Sequence, residues 1–281
     1  MVPRECGLCQ QRQYRRGWRS SGYDIGRCET CGLMQVLQDV QDEELKLLYG
    51  RGYYHGENSI VYQDYLADPE VKGALFGEKL DAIAREFNLK PGACLEVGCA
   101  FGLFLNEARL RGWSVRGIER SSHAANWARV NFGIDVDSSV EAWDAIPSGS
   151  QDLVVMWDVI EHVKHPLTSV QHVRRVLRPG GLLVLSTGDV RSLGARVYGR
   201  RWFLIAPPYH LFYFDHDSIR RLLQTAGLAI RRIENHGAHP LDNGGRNSIG
   251  RWLSRHDRYI GWRFRSGSIM EVVAHPSESI P

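Results

Sequence analysis

Three sets of residues have the types and spacing to do chemistry. Cys6 and Cys9 form one C-x2-C pair and Cys28 and Cys31 a second, with eighteen residues between the pairs. Two residues between thiolates let both sulfurs face one ion from a tight turn. Two such knuckles supply four soft ligands in a tetrahedron, the pattern of structural Zn²⁺. Gly7, Gly32 and Leu33 suit the knuckle turns. An all-cysteine set has no open position, which argues against catalytic zinc. The alternatives are two disulfides or a redox pair. The second set is Asp158, Glu161 and His162, with His210 48 residues beyond His162. If a helical turn begins at 158, positions 158, 161 and 162 share one face. Three readings stay open: a histidine general base, a divalent metal site for Mg²⁺, Mn²⁺ or Zn²⁺, or side chains that hydrogen-bond the surrounding loops.

The third set sits where a strand ends. Leu95-Glu96-Val97-Gly98-Cys99-Ala100-Phe101-Gly102 closes a short apolar run and opens a helical one. Gly98 permits a tight turn and close approach of a ligand, and Gly102 lets helix and strand pack closely. Ala100 stands where a dinucleotide fingerprint has its middle glycine, which disfavours a diphosphate ligand. Glu119 ends the next strand, 23 residues after Glu96, where a carboxylate accepts both hydroxyls of a ribose.

These sets need a frame. Residues 93–97, 114–118, 135–137, 153–157, 182–186, 229–234 and 269–274 read as strands, those near the middle as short continuous apolar runs. Helical spacing recurs at 102–111, 122–132, 167–177 and 216–226. Such alternation predicts an α/β fold with a doubly wound, mostly parallel sheet. Ligands bind at the carboxyl ends of strands in such sheets, and Asp158 follows the fourth strand. Three units are expected. Residues 1–41 form a zinc-binding head, too small to hold together without its metal. Residues 42–90 form a helical, aromatic linker and lid, with Asp42, Glu43 and Glu44 at a helix start and Tyr49, Tyr53, Tyr54, Tyr62 and Tyr65 clustered around His55. Residues 91–281 form the body. The tyrosines read either as a lid over a substrate or as packing between head and body.

The 281 residues are 43% hydrophobic and 24% charged, ordinary globular usage that excludes a disordered tail, a collagen-like repeat and a coiled coil. A net charge of +3 is below what a dedicated nucleic-acid binder carries. Thirty of the 35 basic residues are arginine, which reads as genomic base composition before function. The longest apolar stretches fall far short of the ~20 residues of a membrane span. The first residues lack a signal-peptide core, so the expected location is the cytoplasm, with reduced cysteines.

Four segments stand in order: Glu96-Val97-Gly98-Cys99-Ala100-Phe101-Gly102, then Gly112-Trp113-Ser114-Val115-Arg116-Gly117-Ile118-Glu119, then Val154-Val155-Met156-Trp157-Asp158-Val159-Ile160-Glu161-His162, then Leu177-Arg178-Pro179-Gly180-Gly181. Together they resemble the class I S-adenosylmethionine-dependent methyltransferases, and within them the ubiquinone-biosynthesis O-methyltransferase-like group. His210-Leu211-Phe212-Tyr213-Phe214-Asp215 and the helix through Gly227 add to the likeness, which covers roughly residues 75–235 and the last strand. Several bacterial members also carry a cysteine zinc head and a tyrosine-rich linker, and often modify sugars, polyketides or other secondary metabolites.

The resemblance implies a seven-stranded Rossmann-like sheet that binds S-adenosylmethionine. It implies that Glu96 and Gly98, with Cys99, Ala100 and Gly102 of the same loop, lie by the methionine part of the cofactor. Glu119 would hold the ribose hydroxyls, with Arg120 beside it. Ser139 and Val140 would flank the adenine. Trp157 and Asp158 would border cofactor and substrate. Ala100 departs from the usual glycine and should narrow the loop without closing it. Some relatives place an acid-x-x-Glu-His motif plus a distant histidine on a divalent metal, and others carry Glu-His without one. The cofactors expected are therefore S-adenosylmethionine and structural Zn²⁺, with a divalent metal at Asp158, Glu161, His162 and His210 left open.

The expected reaction is methyl transfer to a small-molecule or glycan acceptor, as O-methylation of a sugar or secondary metabolite. Two rivals remain. One is an RNA methyltransferase whose head, with Arg12, Arg15, Arg16 and Arg19 interleaved by Tyr14 and Trp18, holds the RNA. Against it, no Asn/Asp-Pro-Pro-Tyr/Phe motif follows the fourth strand. The other is a non-catalytic cofactor-binding scaffold. Acceptor choice is expected in residues 188–214, with arginines 191, 196, 200 and 201 beside Trp202 and Phe203, and in residues 235–266. The latter stretch reads as a turn at Asp242 to Gly245 and a basic amphipathic helix with arginines 246, 251, 255 and 258, a homodimer surface or a membrane-surface contact.

Overall fold

A computed structural model of the chain describes residues 3–54, 65–138, 142–236 and 267–277. In chain order the elements are β1 (Tyr14–Ser20), β2 (Tyr23–Cys28), β3 (Met34–Val36), α1 (Asp42–Leu48), α2 (Arg51–Tyr54), α3 (Pro69–Phe87), β4 (Ala93–Val97), α4 (Leu103–Leu110), β5 (Ser114–Ile118), α5 (Ser122–Phe132), β6 (Asp135–Asp137), β7 (Gln151–Trp157), α6 (Pro166–Val176), β8 (Leu177–Gly188), α7 (Leu193–Tyr198), β9 (Phe212–Tyr213), α8 (His216–Thr225), β10 (Leu228–His236) and β11 (Ile269–Pro276).

Seven strands form the main sheet in the order β10-β11-β8-β7-β4-β5-β6. The pairs from β8 to β6 are all parallel, and β11 runs antiparallel to both its neighbours. The central strands are apolar on both faces because both are covered. In β7, Val154 and Met156 join the core with Val170 and Val173 of α6 and Leu222 of α8. Leu153 and Val155 join the other core with Leu80 of α3, Phe104 of α4 and Ala125 of α5. This is the doubly wound arrangement that the alternation predicts. The strand order reverses between β4 and β7, which opens a crevice at their carboxyl ends.

The helix ends have local causes. Pro69 starts α3 where a missing N–H costs nothing, and Asn88 ends it in the left-handed region at φ 53°. Asp215 and Ser218 form a reciprocal capping box on α8.

A second sheet, β1-β2-β3-β9, belongs to the head, and its fourth strand comes from the body. Met34 pairs with Tyr213 and Gln35 with Phe212. Cys6, Leu8, Ile25, Leu33 and Val36 share one buried core with Leu211, Phe212 and Phe214. Among the described residues no helix is long and apolar enough to cross a membrane.

Candidate active site

A cavity of about 490 Å³ opens at the carboxyl ends of β4, β5 and β7. Val97, Gly98, Ala100, Glu119 and Arg120 line one side, and Tyr49, Tyr53, Trp143, Trp157, Asp158 and His162 line much of the rest. The turn after β4 is tight. Gly98 has φ 71°, and a Cβ there would stand 2.5 Å from Val159 Cγ2, so only glycine fits. Ala100 takes the left-handed φ of 46° without being glycine. Its N–H donates to Glu119 Oε2 at 2.8 Å, which holds the loop in that conformation.

Glu119 is buried, and its Oε1 accepts from Ser121 N at 2.7 Å and from the Tyr54 hydroxyl at 3.3 Å. Burial pushes its carboxyl up, and these hydrogen bonds pull it back. Glu96 is its contrast. Burial, reinforced by the Glu119 charge, holds its carboxyl well above the usual range. Its Oε2 is buried with no hydrogen-bond partner among the described residues, and so is Trp157 Nε1. An orphaned buried carboxylate oxygen calls for a cation or a donor. The ammonium of an S-adenosylmethionine methionyl group would satisfy Glu96, and its ribose hydroxyls would meet Glu119. The residues present fit the cofactor. Gly102, φ 72°, leads into α4. Cys99 turns away from the cavity into the apolar layer with Leu105 and Val136. Ser139 and Val140 lie outside the described residues, as do His55, Tyr62 and the stretch from 237 to 266.

Asp158 to His162 form a turn rather than a helix, with Asp158 at φ 52° and His162 N donating to Val159 O at 2.9 Å. Asp158 Oδ1 accepts from Ser186 Oγ at 2.7 Å, and burial raises its carboxyl. Glu161, His162 and His210 come together, each offering one ligand atom within 4.8 Å of the others, while Asp158 stands outside that group. The two imidazole rings meet edge to face at 4.7 Å. His162 Nδ1 is 2.8 Å from the Tyr209 carbonyl, and His210 Nδ1 is 2.8 Å from the Leu204 carbonyl. A carbonyl only accepts, so both Nδ1 atoms carry the proton, and neither Nε2 lone pair has a hydrogen-bond partner among the described residues. Burial, then the neighbouring His210, pushes His162 down to about 3, and burial pushes His210 down to about 4. Both rings are therefore neutral at ordinary pH. Glu161 moves the other way, up to about 8, through burial and then the nearby Asp158. Thr187 Oγ1 donates to Glu161 Oε2 at 3.0 Å.

The sequence offers Tyr49 and Tyr54 as part of a lid or of packing, without their partners. Tyr54 reaches Glu119, and the Tyr49 hydroxyl lies 2.7 Å from His162 Nδ1. Nothing local ties Tyr49 to a histidine 113 residues away. Ser186 and Thr187 carried a signal: they are the polar end of the otherwise apolar run 182–185, at a strand's carboxyl end.

At the head, the Cys6 and Cys31 sulfurs are 3.4 Å apart, those of Cys9 and Cys28 are 3.5 Å apart, and all four lie within 4.8 Å of one another. Thiolates on one tetrahedral Zn²⁺ at ~2.3 Å stand ~3.8 Å apart, so the donor set fits such an ion. All six cysteines are free thiols, and the two-disulfide alternative is not formed.

Residues 71–233 match the family model described as a methyltransferase domain. A ubiquinone biosynthesis O-methyltransferase of Aromatoleum aromaticum is 32% identical over 175 residues, which cover 58% of this chain and 75% of that protein. The corresponding protein of an Azoarcus species is 33% identical over the same shares. An S-adenosylmethionine-dependent methyltransferase structure from Mesorhizobium loti superposes with a TM-score of 0.50 at 19% identity, covering 69% of this chain and 95% of that one. That likeness is one of fold.

Proposed function

The chain belongs to the class I S-adenosylmethionine-dependent methyltransferases, and from that premise we propose that its acceptor is a small hydroxylated molecule, a sugar or a secondary metabolite, methylated at oxygen. When bound, S-adenosylmethionine supplies an electrophilic sulfonium methyl. The chain's own residues then bind, align and deprotonate. Glu119, whose Oε1 accepts from Tyr54, would hold the ribose hydroxyls. Glu96 Oε2 would take the ammonium. Gly98 and Ala100 bring the loop backbone against the ligand.

One observation carries the acceptor chemistry: a neutral imidazole with a free Nε2 lines the same cavity as Glu119. His162 takes the acceptor's proton late, from an oxygen that methylation itself makes strongly acidic, so an imidazole lowered to about 3 suffices; His210 and Glu161 hold it in place, and the Tyr209 carbonyl fixes its tautomer. In-line alignment contributes about 7–11 kcal/mol, and general-base help about 10²–10⁴-fold. Tyr49, Tyr53 and Trp143 along the cavity support a ring-bearing acceptor.

A divalent metal on Glu161, His162 and His210 is the second reading, supported by the free Nε2 atoms and the 4.8 Å spacing. The head reads as a structural Zn²⁺ site. The test is transfer from methyl-labelled S-adenosylmethionine into a cell extract split into small-molecule, glycan and RNA fractions, with Glu119→Ala as the inactive control. Label in a small-molecule or glycan methyl ether is expected. Label in RNA would overturn the reading, as would its absence from every fraction. A requirement for added Mg²⁺ or Mn²⁺ after chelation would select the metal reading.

A further inference from the structure

The two segments that carry the acid–histidine cluster are both held by the cysteine head. His210 leads directly into β9, which pairs with β3. Val36 N donates to Leu211 O at 2.9 Å, and Leu211 N donates to Glu161 O at 2.8 Å. The chain at 211 is thus hydrogen-bonded to the head on one side and to the Glu161 turn on the other. Gln35, fully buried, ties this strand to the first knuckle. Its Oε1 accepts from Gly7 N and its Nε2 donates to Glu5 O, both at 3.0 Å. The knuckle lies directly on the cluster's support. A Cβ on Gly7 would stand 2.5 Å from Phe212 Cε1 and 3.0 Å from Pro166 Cγ. Arg4 grips the other segment, donating to the Lys164 carbonyl at 2.8 Å, with its guanidinium 5.1 Å from the Phe212 ring centre.

We propose that the metal-loaded four-cysteine head positions Glu161, His162 and His210, with Gly7 and Gln35 as positioning residues. This rests on the reading of that cluster as the proton-handling site. The head then serves the reaction without touching substrate. Metal binding fixes the Cys6–Cys9 knuckle, the knuckle seats Phe212 and Pro166, and these set the two segments that present the imidazoles. Glu96 sits on β4, Gly98 in the turn after it and Glu119 just past the end of β5, and neither strand pairs with the head sheet. Cofactor affinity should therefore be insensitive to the head.

The experiment uses the full-length chain labelled with ¹⁵N-histidine, with imidazole signals assigned through His162→Gln and His210→Gln. Spectra of the Zn²⁺-loaded protein are compared with those of Gly7→Ala and of protein stripped by a chelator. Co²⁺ substitution reports whether the four thiolates still share a metal, and calorimetry reports S-adenosylhomocysteine affinity. Gly7→Ala is expected to keep the Co²⁺–thiolate absorption and to bind S-adenosylhomocysteine within about twofold of the parent, while both imidazole signals move. Its kcat on the acceptor identified by labelling should fall roughly tenfold or more, the scale of a misplaced reacting group. Phe212→Leu in the Gly7→Ala background removes the clashing atoms and should restore the signals, and stripping should move them as Gly7→Ala does. Imidazole signals unmoved by both Gly7→Ala and stripping would overturn the proposal. So would an equal loss of S-adenosylhomocysteine binding, since the effect would then be general unfolding. Signals that move while kcat holds would leave the coupling standing and count against the base reading.

Discussion

The two sides of the cavity are built in different ways. The side proposed for the cofactor, Glu96 to Glu119, comes from one strand–turn–helix–strand unit. Its contacts are short in sequence, such as Ala100 N to Glu119 Oε2, nineteen residues apart. The acceptor side is assembled from Tyr49, the turn after β7, Tyr209 and His210, which meet across separations of 47 to 160 residues. The electrostatics differ as well. One side holds two buried carboxyls, Glu119 with its hydrogen bonds made and Glu96 raised by burial, whereas the other holds two neutral imidazoles beside a carboxyl raised to about 8. A site for a common cofactor can be written into a local motif. A site for a particular acceptor depends on how distant segments are held.

If the two sides are separable, damage to one should spare the other. Glu119→Ala should have the largest effect. Losing two charge-assisted hydrogen bonds at about 1.5–3 kcal/mol each weakens S-adenosylmethionine by roughly 100-fold or more, measured by calorimetry. Glu161→Gln belongs to the other side. It should lower kcat by roughly 100-fold with cofactor affinity unchanged, read from single-turnover and binding data.

The same variant sharpens the electrostatic contrast. Glu161 has a folded-state carboxyl raised from 4.5 to about 8, so its contribution to stability is full below 4.5 and lost as pH rises towards 8. The histidines act in the opposite sense. They are lowered from 6.5, so their contribution is full above 6.5 and lost as pH falls towards 4 and 3. Between 6.5 and 8 only the Glu161 contribution among these three changes. The Glu161 contribution should fall there by about 2 kcal/mol in urea titrations, and Glu161→Gln should remove that part of the pH dependence.

Tyr49→Phe, which deletes the hydroxyl at His162 Nδ1, should reduce kcat about fivefold. Tyr54→Phe should change cofactor affinity least, within about threefold, because its 3.3 Å hydrogen bond is the longest of the three that Glu119 accepts.

The same contrast governs what could be read from the sequence. Strands 93–97, 114–118 and 135–137 and helix 122–132 match the structure residue for residue, because Gly98, Gly112 and Gly133 mark their ends locally. Strand β8 begins at Leu177, ahead of the 182 that apolarity alone suggests. Arg178-Pro179-Gly180-Gly181 has the composition of a turn, yet Leu177 already pairs with Gln151. The head's strands escaped because β1, with three arginines in seven residues, lacks an apolar alternation. The two-residue β9 has no signal of its own and exists through its pairing with β3. Glu161, His162 and His210 were legible as residue types, and their convergence is set by that pairing and by the Glu161 carbonyl.

The central claim is that cofactor capture and acceptor deprotonation are carried by different residues of one cavity. His162→Gln tests it most directly, with S-adenosylhomocysteine affinity and methyl transfer measured on the same preparation. The expected result is affinity within about twofold of the parent and transfer lowered by about 10²–10⁴-fold. Transfer at the parental rate, or affinity lost in proportion to transfer, would contradict it.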